Sequence, residues 1–89
     1  MPDSLRMATR RTSPGFNDER YRAVIETLVS RRKEAGLTQE ALADRLGLHK
    51  QFVSRVELGE RRLDFVEFAD FARALDLAPS DLISSIPTP

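Results

Sequence analysis

The stretch TQEALADRLGLHKQFVSRVELG, residues 38–59, decides the fold of this chain. It holds two short runs, 39–46 and 50–58, whose apolar residues recur at the spacing of one helix face. Thr38 precedes the first run as a capping residue type, and Gly47 and Gly59 follow the two runs where a left-handed C-cap favours glycine. The stretch therefore predicts two consecutive helices joined by a short turn.

Further helices are predicted on both sides of this pair. The first helix is expected to begin after Asn17 as N-cap and to end at Gly36, and its predicted buried stripe is Tyr21, Val24, Ile25, Leu28 and Ala35. After the pair, Asp64 and Glu67 have the spacing of a capping box. The fourth helix has a predicted buried stripe of Phe65, Phe68, Phe71, Ala72 and Leu75.

A fifth short helix is predicted to begin at Ala78 and Pro79, because proline is tolerated at the first helical position. Its apolar residues are Leu82, Ile83 and Ile86. No strand pattern and no internal repeat accompanies these helices. The predicted fold class is all-α with five helices, and the second and third helices form its distinctive pair.

The length of 89 residues predicts one small domain, because so short a chain cannot support a second core. We expect a flexible basic arm at 1–15, the folded domain at 16–86 and a tail at 87–89, and either Met1 or Met7 could be the true start. The chain has no cysteine and one histidine, which excludes disulfides and a conventional zinc site, so no metal and no cofactor is expected. It shows neither a membrane span nor a secretory signal, and a cytoplasmic location is expected.

Charge further limits the kind of partner. Fourteen basic residues balance fourteen acidic ones, which argues against a polycation that coats nucleic acid indiscriminately. Any nucleic-acid site must therefore occupy one face. The arm carries Arg6, Arg10 and Arg11, whereas acidic residues dominate the last third of the chain, so a basic front and an acidic rear are predicted.

The third helix offers such a face. At about 100° per residue, one arc carries Lys50, Gln51, Ser54 and Arg55, together with the apolar Leu58. The other arc carries Phe52, Val53, Val56 and Glu57. Lysine and arginine can donate to guanine O6 and N7, and glutamine can pair with adenine N6 and N7 in the major groove. The pattern predicts a helix that packs with one arc and contacts base edges with the other.

The segments AGLTQEALADRLGLHKQFVSRVELGERR and FADFARALDLAPSDLI closely resemble the helix-turn-helix domain of the phage-repressor-like, XRE-type (Cro/cI-type) family of transcription regulators. The resemblance covers about residues 20 to 86. It implies a five-helix DNA-binding domain. It also implies base contacts from Lys50, Gln51 and Arg55, and a contact of Ser54 with a base or the backbone. The alternative for all four is a solvated helix face.

Phosphate contacts are a second implication of the resemblance, with Thr38 and Gln39 holding a phosphate at the start of the second helix. Arg61 and Arg62, in the loop after the third helix, are predicted to reach phosphates or a minor groove, or to be a solvated charge run. His49 stands where the family has a Ser or Thr cap, so the third helix either starts less firmly or uses the imidazole as acceptor. The same histidine is also a candidate phosphate contact or a plain surface residue.

Arg32 calls for a structural explanation, because it falls on the apolar stripe of the first helix, where an unpaired charge would be costly. Glu57 occupies the family position whose carboxylate pairs with an arginine at the Arg32 position. The resemblance therefore implies a partly buried ion pair between Arg32 and Glu57 with an architectural role.

The predicted function is a sequence-specific, double-stranded DNA-binding transcriptional regulator acting as a repressor. A homodimer formed through the last helix, at Leu82, Ile83 and Ile86, would place two third helices on a palindromic operator; alternatively these residues only close the core of a monomer. A hypothesis of another class is an antitoxin or adaptor that binds a partner protein with its rear face. Catalysis is not expected, since Ser30 or Ser54 with His49 would lack a third orienting group.

Overall fold

The structure, a computed structural model, describes residues 18–89, so the predicted arm at 1–15 and Asn17 lie outside the described residues. Within the described part there are five α-helices and no strand. They are α1 (Glu19–Glu34), α2 (Gln39–Leu46), α3 (Lys50–Leu58), α4 (Phe65–Ala74) and α5 (Pro79–Ser84). The all-α prediction with five helices is confirmed. No helix of residues 18–89 is long and apolar enough to cross a membrane.

Most helix ends follow local signals in the sequence. The Thr38 hydroxyl accepts from the Ala41 backbone N–H at 3.0 Å and caps α2. Asp64 and Glu67 form the predicted capping box of α4, with each side chain accepting from the other residue's backbone N–H. Pro79 occupies the first turn of α5. These ends need only neighbouring residues, which is why the sequence predicts them.

The N-cap of α1 differs from the prediction. Asp18, not Asn17, is the cap, and its carboxylate accepts from the Arg20 backbone N–H at 2.8 Å. The Arg20 guanidinium also donates to Asp18, and these hydrogen bonds hold the pKa of the Asp18 carboxyl well below its usual range. The Asp18 carboxylate accepts hydrogen bonds from both the backbone N–H and the guanidinium of Arg20, and its negative charge suits the guanidinium better than a neutral amide would.

The core lies where α1, α2, α3 and α4 meet. Ten apolar side chains form it: Ile25, Leu28, Leu42, Ala43, Val53, Val56, Leu63, Phe71, Ala72 and Leu75. Phe52, Phe68 and Leu82 pack against it from the side and are half-buried. The core therefore fixes α3 relative to α1 and α2, and this packing determines which arc of α3 faces outward.

The burial predicted for two residues, Phe65 and Ala35, is wrong. Phe65 is 83% exposed, because it is the first residue of α4 and no described element covers it. Ala35 is exposed as well, because α1 ends at Glu34 and Ala35 is its C-cap rather than a member of the stripe. The rest of both stripes is buried or half-buried.

Candidate nucleic-acid interface

Helix α3 is anchored by its inner arc. Val53 and Val56 are 0% and 1% exposed, and the Phe52 ring packs against Phe71 with centroids 6.2 Å apart. Gly59 ends the helix in the left-handed conformation, and its N–H bonds back to the Val56 carbonyl at 3.1 Å. The helix is thus a rigid element whose orientation is set by the core.

The outer arc of α3 carries the predicted base-contacting residues. Lys50, Gln51 and Arg55 are all exposed, and their side chains make no hydrogen bond or ion pair with any described residue. Ser54 is half-buried on the same arc and lines a shallow depression that also borders Gln39. The structure therefore brings the four residues onto one face, with three donor-bearing side chains free to contact a ligand.

The predicted phosphate-contacting residues Thr38 and Gln39 lie at the N-terminus of α2. Thr38 is exposed and accepts one backbone hydrogen bond, so its hydroxyl proton is still available for a donor contact. The first N–H groups of any helix lack partners within the helix and carry partial positive charge, which suits an anion. Gln39 is half-buried, between this helix end and α3.

An ion pair joins α1 to α3 beneath this site. The Arg32 guanidinium donates from Nε to Glu57 Oε2 at 2.6 Å and from Nη2 to Glu57 Oε1 at 2.9 Å, and both side chains are largely buried. Arg32 Nη1 also donates to the Leu37 carbonyl at 2.7 Å. Gln39 Nε2 donates to Glu57 Oε1 at 2.9 Å, a contact that sequence reasoning missed. One carboxylate thus holds three elements together.

This network orients the amide of Gln39. A carboxylate only accepts, so Nε2 of Gln39 must face Glu57, and one of its two N–H groups is used there. The second N–H is left for another acceptor. Gln39 therefore has a structural contact in addition to the phosphate contact that the resemblance implies.

Arg61 and Arg62 follow α3, but both guanidinium groups have partners within the chain. Arg61 pairs with Glu67 at 2.8 Å, donates to the Arg62 carbonyl and lies 4.6 Å from the centre of the Phe52 ring. Arg62 is exposed and its guanidinium lies 5.5 Å from the centre of the Tyr21 ring. A phosphate would have to compete with Glu67 for Arg61, whereas Arg62 retains exposed donors.

His49 and Leu58 occupy the two ends of α3. His49 is the N-cap and is exposed, but its imidazole makes no capping hydrogen bond. The imidazole therefore does not replace the Ser or Thr acceptor of the family. Leu58 is 68% exposed, as its place on the outer arc predicts. The first turn of α3 is therefore held by its packing and not by a side-chain cap.

Three further arginines have structural roles that sequence reasoning missed. Arg22 lies under the C-terminus of α3 and donates to the Glu57 carbonyl at 3.4 Å. Arg31 and Arg45 donate to the carbonyls of Leu75 and Ala74 at 3.0 and 2.9 Å, at the C-terminal end of α4, where positive charge is favourable. Nothing local in the sequence marks them, because the contacts join residues far apart in the chain.

Comparison with known proteins places this architecture in a family. A model of the helix-turn-helix family HTH_3 matches residues 28–82, more than half of the chain. The chain belongs to the XRE-type helix-turn-helix family. The solved structure of an XRE-family like protein from Pseudomonas syringae pv. tomato str. DC3000 is 44% identical, with a TM-score of 0.74, and the alignment covers 79% of this chain and 85% of that one. No protein with a curated description matches.

A second solved structure extends the likeness in fold. The clp gene regulator ClgR from Corynebacterium glutamicum is 23% identical to this XRE-type chain, with a TM-score of 0.65, and the alignment covers 73% of this chain and 69% of that one. The family consists of DNA-binding transcription regulators, and this chain is one of them. Residues 18–89 contain no cluster of three or more His, Asp or Glu side chains that could hold a metal ion.

Proposed function

We propose that this XRE-type protein reads a specific double-stranded DNA sequence by placing α3 in the major groove. The observation that carries the proposal is the free outer arc of α3, where Lys50, Gln51 and Arg55 are exposed without partners among the described residues. These side chains have donors and acceptors that match base edges, and each good bidentate contact discriminates by about 1–3 kcal/mol. Ser54 completes the base-contacting set.

Phosphate contacts would fix the position of α3 on the duplex. Thr38 and Gln39 are the primary candidates, because α2 begins beside α3 and the second N–H of Gln39 Nε2 is not used by Glu57. His49 and Arg62 are exposed secondary candidates, and Arg61 would contribute only by exchanging Glu67 for a phosphate. Arg32 and Glu57 support this set from below without contacting DNA.

We further propose that the protein acts as a repressor and binds a palindromic operator as a homodimer. Occupation of an operator by a small domain suffices to block access to a promoter, so repression requires no additional surface. A twofold dimer with its α3 helices about one DNA turn apart would double the number of base contacts. The exposed apolar residues Phe65 and Ile83 support association.

The reading of bases is tested by selecting bound duplexes from a random pool and then measuring affinity for the selected site. Gln51→Ala and Arg55→Ala should each cost about 1–3 kcal/mol on that site and relax preference at particular base pairs. Gln39→Ala should weaken binding to all sequences alike and reduce the salt dependence.

Arg73→Ala is the matched control, because Arg73 is an exposed arginine on α4, away from the outer arc of α3. It should retain both affinity and preference. If Gln51→Ala and Arg55→Ala also bind the selected site with wild-type affinity and preference, α3 does not read the bases and the docking is wrong.

A further inference from the structure

An open apolar cavity lies on the face formed by the start of α1, the loop 60–64, the start of α4 and the end of α5. Its volume is about 360 Å³. The walls are apolar side chains from all four segments, chiefly Tyr21, Val24, Leu63, Phe68, Ile83 and Ile86. The function proposed above assigns no role to the cavity, although it counts the exposed Ile83 among the residues that support association. No described residue fills the cavity.

A large aromatic side chain stands at the mouth of this cavity. Phe65 lines it and is 83% exposed, and Ile83 beside it is 55% exposed. Scattered exposed apolar residues are ordinary, but here they adjoin an apolar hollow and form one continuous patch. An exposed phenyl ring beside an apolar hollow is a candidate contact surface.

The shape of this surface favours a second copy of this chain as the partner that fills the cavity. A twofold interface uses the same patch on both subunits, so the patch must carry both a projecting group and a recess for it. Phe65 is the projecting group and the cavity is the recess. A cavity of about 150 Å³ is enough to hold a benzene ring, so the volume of about 360 Å³ accommodates the phenyl ring of a partner's Phe65.

The charges at the rim are also self-complementary. Four charged residues among those described line the cavity. Asp18 and Arg20 pair with each other, whereas Arg62 and Asp64 are exposed on either side of the buried Leu63. Two copies related by a twofold axis can place Arg62 of one opposite Asp64 of the other. A rim of one sign would repel its own copy, whereas this mixed rim favours it.

The position of the patch along the chain suits a dimer on DNA. Phe65 follows Gly59, the C-cap of α3, by six residues, so the patch lies within roughly 20 Å of the end of α3. Two copies that meet at this patch therefore hold the ends of their α3 helices within roughly 40 Å plus the distance between their two Phe65 residues. This range includes the separation of about 34–36 Å between successive half-sites.

We propose that two copies of this chain associate through reciprocal insertion of Phe65 into this cavity. The inference rests on the homodimer of the proposed function and defines its interface. It moves the main contact from the last helix, where the sequence analysis placed it, to the first turn of α4. Leu82 faces the core, and Ile83 and Ile86 take part as walls of the recess.

The test is sedimentation velocity of the full chain without DNA over a range of concentrations. The wild type should dimerise, and Phe65→Ser should raise the dimer dissociation constant by roughly 30-fold or more, as expected for loss of a central aromatic anchor. Leu58→Ser is the matched control, since Leu58 is 68% exposed but lies outside the cavity, and it should leave the dissociation constant unchanged. Melting curves should show all three proteins folded.

Two results would overturn the proposal. One is a wild-type chain that stays monomeric up to a concentration of about 1 mM. The same result is expected if another protein or the segment 1–17 covers the cavity. The other is Phe65→Ser dimerising like the wild type. Binding of Phe65→Ser to a single half-site separates this inference from the proposed function. Base preference on a half-site depends on α3 alone, so Phe65→Ser should keep the wild-type preference whether or not the dimer forms.

Discussion

At the scale of single residues, Glu57 has the largest structural role in the site. Its carboxylate accepts from Arg32 on α1 and from Gln39 on α2 while it belongs to α3 itself. A buried charge of this kind is tolerated only because its lone pairs are used by donors. Glu57 is therefore a structural residue beneath the outer arc of α3, and its contacts join α3 to α1 and α2.

We predict that Arg32→Ala strongly destabilises the protein in the absence of DNA. The change leaves the Glu57 carboxylate largely buried beside a single remaining donor, which costs about 3 kcal/mol and corresponds to a fall in Tm of roughly 10–20 °C. Circular dichroism melting at neutral pH measures it.

A double variant, Arg32→Met with Glu57→Met, provides the control for this prediction. Removing both charges together should recover part of the lost stability, because neither charge is then left without its partner. Recovery should be incomplete, since the Leu37 carbonyl and Gln39 Nε2 each lose a hydrogen bond. An unchanged Tm in Arg32→Ala would show that the ion pair has no architectural role.

At the scale of secondary-structure elements, α2 and α3 both end at a glycine, but the two glycines differ in how closely other side chains approach them. Gly47 and Gly59 both adopt left-handed backbone conformations, with φ of 69° and 84°. A Cβ added at Gly47 would meet nothing within 4 Å, whereas a Cβ at Gly59 would lie 3.1 Å from Arg22 Nη1. The C-terminus of α3 therefore packs against the side chain of Arg22, which lies beneath it on α1.

Gly59→Ala is therefore predicted to destabilise the protein more than Gly47→Ala. Each change forces an alanine into the left-handed region, at about 1–2 kcal/mol. Gly59→Ala adds the displacement of the Arg22 guanidinium from the Glu57 carbonyl. Urea denaturation of both variants measures the difference.

The same comparison in an Arg22→Ala background isolates the contact with Arg22. With that side chain removed, the two glycine substitutions should cost the same. If Gly59→Ala remains the more costly of the two in this background, the additional strain does not come from Arg22.

At the scale of the whole molecule, α4 is buried along its middle and end but exposed at its first turn. Phe71 is 2% exposed and Phe65 is 83% exposed, although both are phenylalanines of one helix, six residues apart. The difference arises because α4 packs its middle and end on the other helices, while its first turn projects beside the open cavity. One helix thereby supplies both the core and the proposed contact surface.

Phe71→Ala should lower the free energy of unfolding by about 3–5 kcal/mol, because it opens a cavity in the core. Phe65→Ala should change it by less than about 0.5 kcal/mol, as for an exposed site. Urea denaturation at low protein concentration measures both, since association at higher concentration would add apparent stability to every variant that still dimerises. A large loss in Phe65→Ala under these conditions would place that ring in the monomer core.

The sequence by itself determined the helices, most of their ends and the outward arc of α3. These features depend on residues that are neighbours in the chain: the Thr38 cap, the box of Asp64 and Glu67, and the periodic apolar stripes. The family resemblance added the pairing of Arg32 with Glu57, which spacing alone does not imply. The stripes are approximate near helix ends, and for this reason the predicted burial of Phe65 failed.

Only the tertiary structure decided the contacts that join distant residues. The hydrogen bond from Gln39 to Glu57, the placement of Arg22 beneath α3 and the pairing of Arg61 with Glu67 depend on how the helices cross. The open cavity beside Phe65 exists because no described element covers the first turn of α4. Crossing geometry is set by the summed packing of the whole core, and no local pattern in a single chain encodes it.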